Sequence, residues 1–105
     1  MRDDGGMTEQ QSDPIVRDAP ESNRYEALRG DDLVGRLDYV VDGPRVDLTH
    51  TWTDPAVRGQ GVAGKLVQRA LDDAREAGFQ VVPTCSYVRS WINDHEEYAD
   101  LVAGQ

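Results

Sequence analysis

Four stretches in the first half of the chain alternate apolar and polar residues, and this period of two predicts β-strands. The stretches cover residues 15–18, 24–28, 33–41 and 46–52. Residues 19–23 and 30–32 are rich in turn formers, and the pair Asp42-Gly43 is typical of a hairpin turn. We therefore predict four strands that run antiparallel in chain order.

The alternation also assigns side chains to the two faces of the sheet. In the third predicted strand, the residues that share one face are Leu33, Gly35, Leu37, Tyr39 and Val41. In the fourth, one face carries Val46, Leu48, His50 and Trp52, and the other carries Asp47, Thr49 and Thr51. We expect the more apolar face to lie against a helix.

From residue 62 onwards, the apolar period changes to that of a helix. The apolar positions are Val62, Leu66, Val67, Ala70, Leu71 and Ala74. Gly78 is a favourable residue to end this helix, and residues 79–84 form a strand that a right-handed crossover makes parallel to the fourth. A short helix over residues 86–93 and a helical turn from residue 96 follow. The predicted fold class is α+β, with antiparallel strands, then helix, strand and helix, around one mixed sheet.

Composition limits both the domain organisation and the partners. Residues 1–13 have no apolar periodicity, so they are predicted to be a disordered leader before a single domain over 14–105. The net charge of −9 argues against nucleic acid or an anionic membrane as partner. The single cysteine excludes an internal disulfide and a cysteine-rich metal site. With no signal peptide and no apolar run near the ~18 residues of a membrane span, the expected location is the cytoplasm.

Residues 58–65, Arg-Gly-Gln-Gly-Val-Ala-Gly-Lys, are the clearest functional signal in the chain. The glycines indicate a tight loop with uncovered backbone N–H groups, and the helix behind it directs its positive end to the same place. Arg58 and Lys65 add positive charge. The loop is therefore predicted to bind a phosphate or pyrophosphate.

The same glycines also spell the dinucleotide fingerprint G-x-G-x-x-G, which is a weak signal outside its structural context. Six residues separate the preceding strand from the first glycine, and the next strand ends in Pro83-Thr84-Cys85 without the carboxylate that would bind a ribose. A nucleotide-binding protein is thus the less favoured alternative.

A longer pattern resembles the GNAT superfamily of acetyl-CoA-dependent N-acetyltransferases, in particular a subfamily of unusually short members. The pattern consists of His50-Thr51, Pro55, residues 58–63 (RGQGVA), Leu66-Val67, Ala70-Leu71, Ala74-Arg75, residues 81–85 (VVPTC), His95 and Tyr98-Ala99. The resemblance implies that the strands on either side of the first helix diverge at their tips and hold the pantetheine arm between them. It implies coenzyme-binding roles for Thr51, Trp52, Thr53, Arg58, Gly59, Gln60, Gly61, Val62, Ala63, Gly64, Lys65 and Tyr87, with the thioester near His50, Trp52, Cys85 and Tyr87.

The candidate catalytic residues are Cys85 and His50. Cys85 is interpreted as a nucleophile that accepts the acetyl group, as a proton donor to the departing thiolate, or as a buried apolar residue. His50 is a base for the amine or a hydrogen-bonded strand residue. Many relatives have an acid or a phenol at the position of Trp52 and a tyrosine near that of Trp91, so the usual acid and base are missing. A backbone N–H at Trp52 or Thr53 is the expected oxyanion donor.

These observations favour an N-acetyltransferase that moves an acetyl group from acetyl-CoA to a primary amine, on a protein lysine, an N-terminus or a small molecule. The alternative is a coenzyme A or acyl-CoA binding module with little turnover. The sequence identifies neither the acceptor nor the oligomeric state.

Overall fold

A computed structural model describes residues 13–104. The strands are β1 (Ile15–Ala19), β2 (Arg24–Arg29), β3 (Asp32–Asp42), β4 (Arg45–Thr53) and β5 (Gln80–Val82), and the helices are α1 (Val62–Ala77) and α2 (Ser86–Asn93). Short 3₁₀ turns cover Pro20–Ser22, Pro55–Val57 and Glu96–Leu101. The predicted α+β class and element order are confirmed. The predicted leader lies outside the described residues, except for Asp13.

The five strands form one sheet in the order β1-β2-β3-β4-β5. The first four are antiparallel, and β4 and β5 are parallel through the crossover helix α1, as predicted. The parallel pairing covers only three residues of each strand, from Arg45 with Gln80 to Asp47 with Val82. Beyond the paired residues, one further hydrogen bond, from Cys85 N to Leu48 O at 2.9 Å, joins β4 to the segment that follows β5. Beyond Leu48 this edge of β4 has no strand partner within residues 13–104, so the two strands diverge as expected.

The core lies between one face of the sheet and α1. Its fully buried side chains include Leu37, Leu48, Leu66, Leu71, Val62, Val67, Val81 and Val88. The α1 stripe predicted from the sequence is buried at every position. No helix in the described part of the chain is long and apolar enough to cross a membrane.

The predicted faces are wrong at the start of β3, because that strand contains a β-bulge. Ala27 pairs with Gly35 but Leu28 pairs with Leu33, so Val34 is an extra residue and takes the buried position. Leu33 is only partly buried. At the other end of the strand Val41 is 51% exposed, although it was predicted to share a face with Leu37 and Tyr39, which are buried.

A second bulge, in β4, corrects the predicted faces in the region of the site. Asp38 pairs with His50 and Tyr39 pairs with Leu48, so Thr49 is the extra residue. One inserted residue reverses the alternation of side chains beyond it. Thr51 and Thr53 therefore point to the face covered by the helices, and His50 and Trp52 point to the opposite face.

Candidate functional site

A groove of about 480 Å³ follows the open edge of β4 and ends at the glycine loop. Its lining residues are Thr51, Thr53, Val57, Arg58, Gly59, Gly61, Val62, Ala63 and Tyr87. All of them except Val57 were predicted from the sequence to contact the coenzyme. The structure therefore brings the C-terminal end of β4, the loop and the first turns of both helices together around one opening.

The residues just before the glycines, 54–57, fix the loop to the sheet and the core. Asp54 donates its backbone N–H to Val34 O at 2.9 Å, and its carboxylate accepts the N–H of Ala56 at 2.9 Å. The buried side chain of Val57 anchors the 3₁₀ turn in the core. These contacts fix where the following glycines stand relative to β4.

Gly59 and Gly61 give the loop its shape. Their φ angles are 85° and 81°, in the left-handed region that favours glycine. A Cβ atom added at either position would meet nothing within 4 Å. The glycines are thus required by the backbone conformation, and the space above them is open.

The N-terminus of α1 has the properties of an anion site. Gly61 is its N-cap, no side chain caps it, and its first turn contains no acidic residue. The first helical bond runs from Lys65 N to Gly61 O at 3.1 Å, so the N–H groups of Val62, Ala63 and Gly64 have no helical partner. Such N–H groups and the helix dipole favour a phosphate there.

The charged and polar residues of the loop have different surroundings. The Arg58 side chain lines the groove and makes no hydrogen bond or ion pair with other described residues. Lys65 lies outside the groove and forms an exposed ion pair with Asp13 at 3.6 Å. Gln60 also points away, and its Oε1 accepts a hydrogen bond from Arg29 Nη2 at 3.1 Å. The sequence contains no signal for this last contact, since 31 residues separate the two side chains.

Gly64 faces α2 rather than the groove. A Cβ atom there would lie 3.3 Å from Trp91 Nε1 and 3.8 Å from Tyr87 Oη. Its missing side chain allows the two helices to approach, while its backbone N–H stays in the first turn of α1. The coenzyme-binding role given to it by resemblance stays a prediction.

Cys85 is the N-cap residue of α2 and lies beside the groove. Its Sγ is 3.4 Å from the Thr51 Oγ1, and the residue is half-buried. Its backbone bond to Leu48 places the thiol where β4 and β5 begin to diverge. The bulge at Thr49 is what turns the Thr51 hydroxyl towards this sulfur.

The surroundings of the sulfur stabilise a thiolate. Burial raises the pKa of the Cys85 thiol, but hydrogen bonds from the Thr51 hydroxyl and from the N–H groups of Val88, Tyr87 and Thr51 outweigh it, so the pKa lies below its usual value. A helix N-terminus has this effect on cysteine generally. Burial and the charge of Cys85 raise the pKa of the Tyr87 phenol, which therefore remains protonated at neutral pH.

The structure does not bring His50 and Trp52 into the groove. His50 is exposed on the other face of the sheet, and the Trp52 ring lies 5.9 Å from the guanidinium carbon of Arg36 on that face. The expected cluster of His50, Trp52 and Cys85 around one point is therefore wrong in its geometry. The catalytic role of His50 and the coenzyme contact of Trp52 stay predictions.

Besides the N–H of Thr51, the backbone of β4 directs a second N–H to its open edge. Asp54 directs its N–H to β3, and adjacent residues of a strand direct theirs to opposite edges. The N–H of Thr53 therefore points to the open edge, towards α2. Of the two positions expected for an oxyanion donor, Thr53 has the required direction.

Trp91 and His95 form a separate aromatic cluster behind α1. Their rings stack with centroids 3.7 Å apart, and His95 Nδ1 lies 2.7 Å from the Trp91 carbonyl oxygen. Tyr98 packs on Trp91 and donates its hydroxyl to Asp72 at 2.7 Å. These contacts tie α2 and the C-terminal turn to α1.

A smaller cavity, of about 170 Å³, lies at the other end of α1. Its carboxylates, Asp18 and Asp73, accept hydrogen bonds from the hydroxyls of Tyr39 and Tyr25 at 2.6 and 2.8 Å. Because these hydrogen bonds pair the tyrosine hydroxyls with the carboxylates, the polar groups of this cavity are explained by their structural role. Within residues 13–104 no group of three or more His, Cys, Asp or Glu side chains could hold a metal ion.

Comparison with known proteins identifies the fold and the family of this chain. Solved structures with the same fold include a GCN5-like protein from Staphylococcus aureus (24% identity, 90% of this chain and 92% of that one, TM-score 0.69). Two others are the ribosomal-protein-S18-alanine N-acetyltransferase of Escherichia coli (11%, 90% and 59%, 0.59) and a soil metagenomic aminoglycoside acetyltransferase (19%, 92% and 64%, 0.52). No functionally curated protein matches the chain by sequence. The family model described as GCN5-related N-acetyltransferase matches residues 24–101. The chain therefore belongs to the GCN5-related N-acetyltransferase family, whose enzymes generally use acetyl-CoA as the acyl donor.

Proposed function

We propose that this protein transfers an acetyl group from acetyl-CoA to a primary amine, with Cys85 as the first acceptor. The observation that carries the proposal is the position of a thiol with a lowered pKa beside a groove that runs along β4 to the glycine loop, in contact with the lining residue Thr51. The coenzyme fits this groove chemically. Uncapped N–H groups suit its pyrophosphate, and the unpaired edge of β4 suits the amide groups of its pantetheine arm.

The residues of this chain have distinct tasks in the proposed reaction. Gly59, Gly61 and the first turn of α1 bind the pyrophosphate, and Arg58 neutralises its charge at the opening. The open edge of β4 orients the arm towards Cys85. When bound, acetyl-CoA supplies an activated acyl group as a thioester.

The lowered pKa of the Cys85 thiol favours nucleophilic attack over proton donation. The Cys85 sulfur forms a bond to the acetyl carbon while the bond from that carbon to the coenzyme sulfur breaks, and the coenzyme leaves as a thiolate. The Thr53 N–H stabilises the oxyanion during this exchange. Tyr87, which stays protonated, gives its proton to the departing sulfur and regains one from solvent.

The neutral amine nitrogen of the acceptor then forms a bond to the acetyl carbon while the bond from that carbon to the Cys85 sulfur breaks. Cys85 returns to the thiolate, and the proton that the amine loses passes to solvent. His50 serves as the base only for an acceptor that approaches from the opposite face of the sheet, where the structure places it. The net charge of −9 favours a cationic acceptor. The similar solved structures include enzymes named for an alanine of ribosomal protein S18 and for aminoglycosides, so the fold is compatible with large and small amines.

A coenzyme-binding protein with little turnover is the second candidate. The observation that favours it is the distance of His50 from the groove, because no histidine or carboxylate lines the described groove to deprotonate an amine. Under this alternative, coenzyme A binds and Cys85 is acetylated slowly or not at all.

Mass spectrometry of the intact protein after incubation with acetyl-CoA separates the two candidates. We expect wild type to gain one acetyl group and to lose it when a suitable amine is added. Cys85→Ala should bind coenzyme A normally but remain unmodified. Transfer at the wild-type rate in Cys85→Ala would remove the cysteine from the mechanism.

The loop assignment has its own test, with Gly61→Asp and a matched control, Gly61→Asn. Both side chains have nearly the same shape and tolerate positive φ, but only Asp places a carboxylate where the phosphate should lie. Bound ligand at 100 times its Kd stabilises a protein by about 2.7 kcal/mol. We expect coenzyme A to raise the melting temperature of Gly61→Asn and not that of Gly61→Asp. Equal shifts in the two variants would contradict the loop assignment.

A further inference from the structure

Asp47 is a carboxylate without a partner among the described residues. It lies on β4 between the buried residues Val46 and Leu48, so its side chain points to the face of the sheet opposite α1. Its Oδ1 atom is buried and accepts no hydrogen bond, and no cation within residues 13–104 forms an ion pair with it. Buried polar atoms without a partner are rare in folded proteins, so this oxygen indicates a group that binds from outside.

Two other acids on this face of the sheet do have partners. Glu26 binds arginines with both oxygens, Arg17 at 2.9 Å and Arg24 at 2.8 Å. The Asp38 carboxylate lies 3.3 Å from Arg36 Nε. The charge of Asp47 is therefore left uncompensated on a face where neighbouring carboxylates are neutralised.

Asp47 also marks the point where β4 and β5 separate. The two strands pair for the last time between Asp47 and Val82, and the next bond across the gap joins Leu48 O to Cys85 N. The Cys85 thiol contacts Thr51 on the side of α1, whereas Asp47 is on the open side. A molecule that reaches the thiol from the open face therefore arrives beside this carboxylate.

The surroundings of Asp47 suit an alkylammonium group. Its neighbours in the strand register are Val40 on β3 and Val82 on β5, and these apolar side chains can contact methylene groups. The carboxylate can bind a cation through a charge-assisted hydrogen bond. This cation is not the reacting nitrogen, because a nearby carboxylate favours the protonated form of an amine, which is not nucleophilic. The cation is therefore a second amine of the same acceptor.

The spacing along β4 limits the length of such an acceptor. Four residue steps, one of them in the bulge, separate Asp47 from Thr51, which contacts the thiol. At about 3.3 Å per residue, their Cα atoms are roughly 10–13 Å apart. The ion pair at one end and the reacting contact at the other each take up roughly 3 Å. The two nitrogens are then separated by roughly 4–7 Å, which is the span of a short alkyl diamine.

We propose that Asp47 binds the second ammonium group of the acceptor and makes the protein prefer short diamines, such as putrescine, to monoamines of the same length. This inference rests on the proposed function and names the class of its acceptor. A monoamine cannot form the charged hydrogen bond to Asp47. Loss of that bond supports a preference of about tenfold or more in kcat/KM.

The test compares putrescine with butylamine, which has the same chain but lacks the second amine. Mass spectrometry measures the acetylated products of wild type and of three variants. Asp47→Asn keeps the shape of the side chain and removes its charge, whereas Asp47→Glu keeps the charge. Glu76→Gln is the matched control, because Glu76 is exposed on α1, on the other side of the sheet, and its loss changes the net charge equally.

We expect wild type and Glu76→Gln to favour putrescine over butylamine by about tenfold or more. Asp47→Asn should use the two amines equally and keep the wild-type rate with butylamine, and Asp47→Glu should retain part of the preference. Asp47→Asn should also melt no lower than wild type, because the substitution removes a charge that has no partner in the fold.

The outcomes separate this inference from the proposed function. An equal loss for both amines in Asp47→Asn, or a lower melting temperature, would give Asp47 a structural role and overturn the inference. A wild-type ratio near one also overturns it and leaves the proposed function intact, as does transfer to other primary amines but to neither of these two. A wild-type protein that acetylates no primary amine refutes the proposed function itself.

Discussion

Gly35→Ala tests whether the position of the anion site depends on how closely α1 lies on the sheet. Gly35 stands on β3 directly below the first turns of the helix. A Cβ atom there would lie 2.8 Å from Val62 Cγ1, 3.1 Å from Leu66 Cδ1 and 3.3 Å from the Trp52 carbonyl oxygen. Carbon atoms in favourable contact lie about 3.5–4.0 Å apart, so the Val62 contact must open by about 1 Å. A helical valine has essentially one side-chain rotamer, and the helix end must therefore move.

The expected cost follows from two opposing effects. Overpacking a core by one methyl group costs about 1–3 kcal/mol. Replacing glycine by alanine recovers about 0.4–1 kcal/mol through the lower entropy of the unfolded chain. The free energy of unfolding should fall by about 1–2 kcal/mol. For a domain of this size, each kcal/mol lowers the melting temperature by about 4–8 °C. The affinity for coenzyme A should fall as well, because the N–H groups of Val62 and Ala63 move with the helix end.

Urea unfolding of Gly35→Ala, Val62→Ala and the double variant measures the effect. Val62→Ala removes the atom that the new methyl group would strike, so the double variant should be more stable than the sum of the two changes by at least about 0.5 kcal/mol. If Gly35→Ala is as stable as wild type, or the two changes are additive, α1 does not press on Gly35 and the reasoning is refuted.

Two further predictions concern titrating groups. Thr51→Val should raise the pKa of the Cys85 thiol, because it removes the hydroxyl that stabilises the thiolate, whereas Thr51→Ser should leave that pKa unchanged. The pH dependence of alkylation by iodoacetamide measures the pKa. Equal pH profiles for Thr51→Val and wild type would contradict this prediction. Glu26 has a pKa below its usual value because of hydrogen bonds from Arg24 and Arg17, so its stabilising contribution is complete above the unfolded pKa and is lost as pH falls through the folded one. Glu26→Gln should therefore lower the free energy of unfolding by about 1–2 kcal/mol at pH 7. Urea titrations should show that this difference shrinks as the pH falls below the ordinary Glu pKa of about 4.3. A difference independent of pH would refute this.

Local patterns were sufficient to predict most of the fold. The period of two, the hairpin pair Asp42-Gly43 and the apolar stripe of α1 each depend on neighbouring residues, and the structure has the elements that they predict. The glycine loop was also recognisable, because positive φ angles at Gly59 and Gly61 are a local requirement. Of the loop residues expected to bind the coenzyme, Arg58, Gly59, Gly61, Val62 and Ala63 line the groove, whereas Gln60, Gly64 and Lys65 do not.

The prediction failed where one residue was inserted into a strand. An alternating sequence continues to alternate through a bulge, so nothing in residues 46–53 shows that Thr49 is the extra residue. The pairing of β4 with β3 decides where the bulge lies. Because of the bulge, Thr51 rather than His50 is on the face of the sheet where the Cys85 thiol lies. The sequence therefore singled out Cys85 but predicted His50 and Trp52, rather than Thr51, beside its thiol.

The sequence by itself determined the order of helices and strands, the glycine loop and the family resemblance, because each of these is encoded in spacing along the chain. Only the tertiary structure decided the contact of Thr51 with Cys85, the close approach of α1 over Gly35 and the bond from Arg29 to Gln60. These contacts join residues that are distant in sequence, and their geometry depends on strand register and helix position. Register and helix position result from packing of the whole domain, which no local pattern contains.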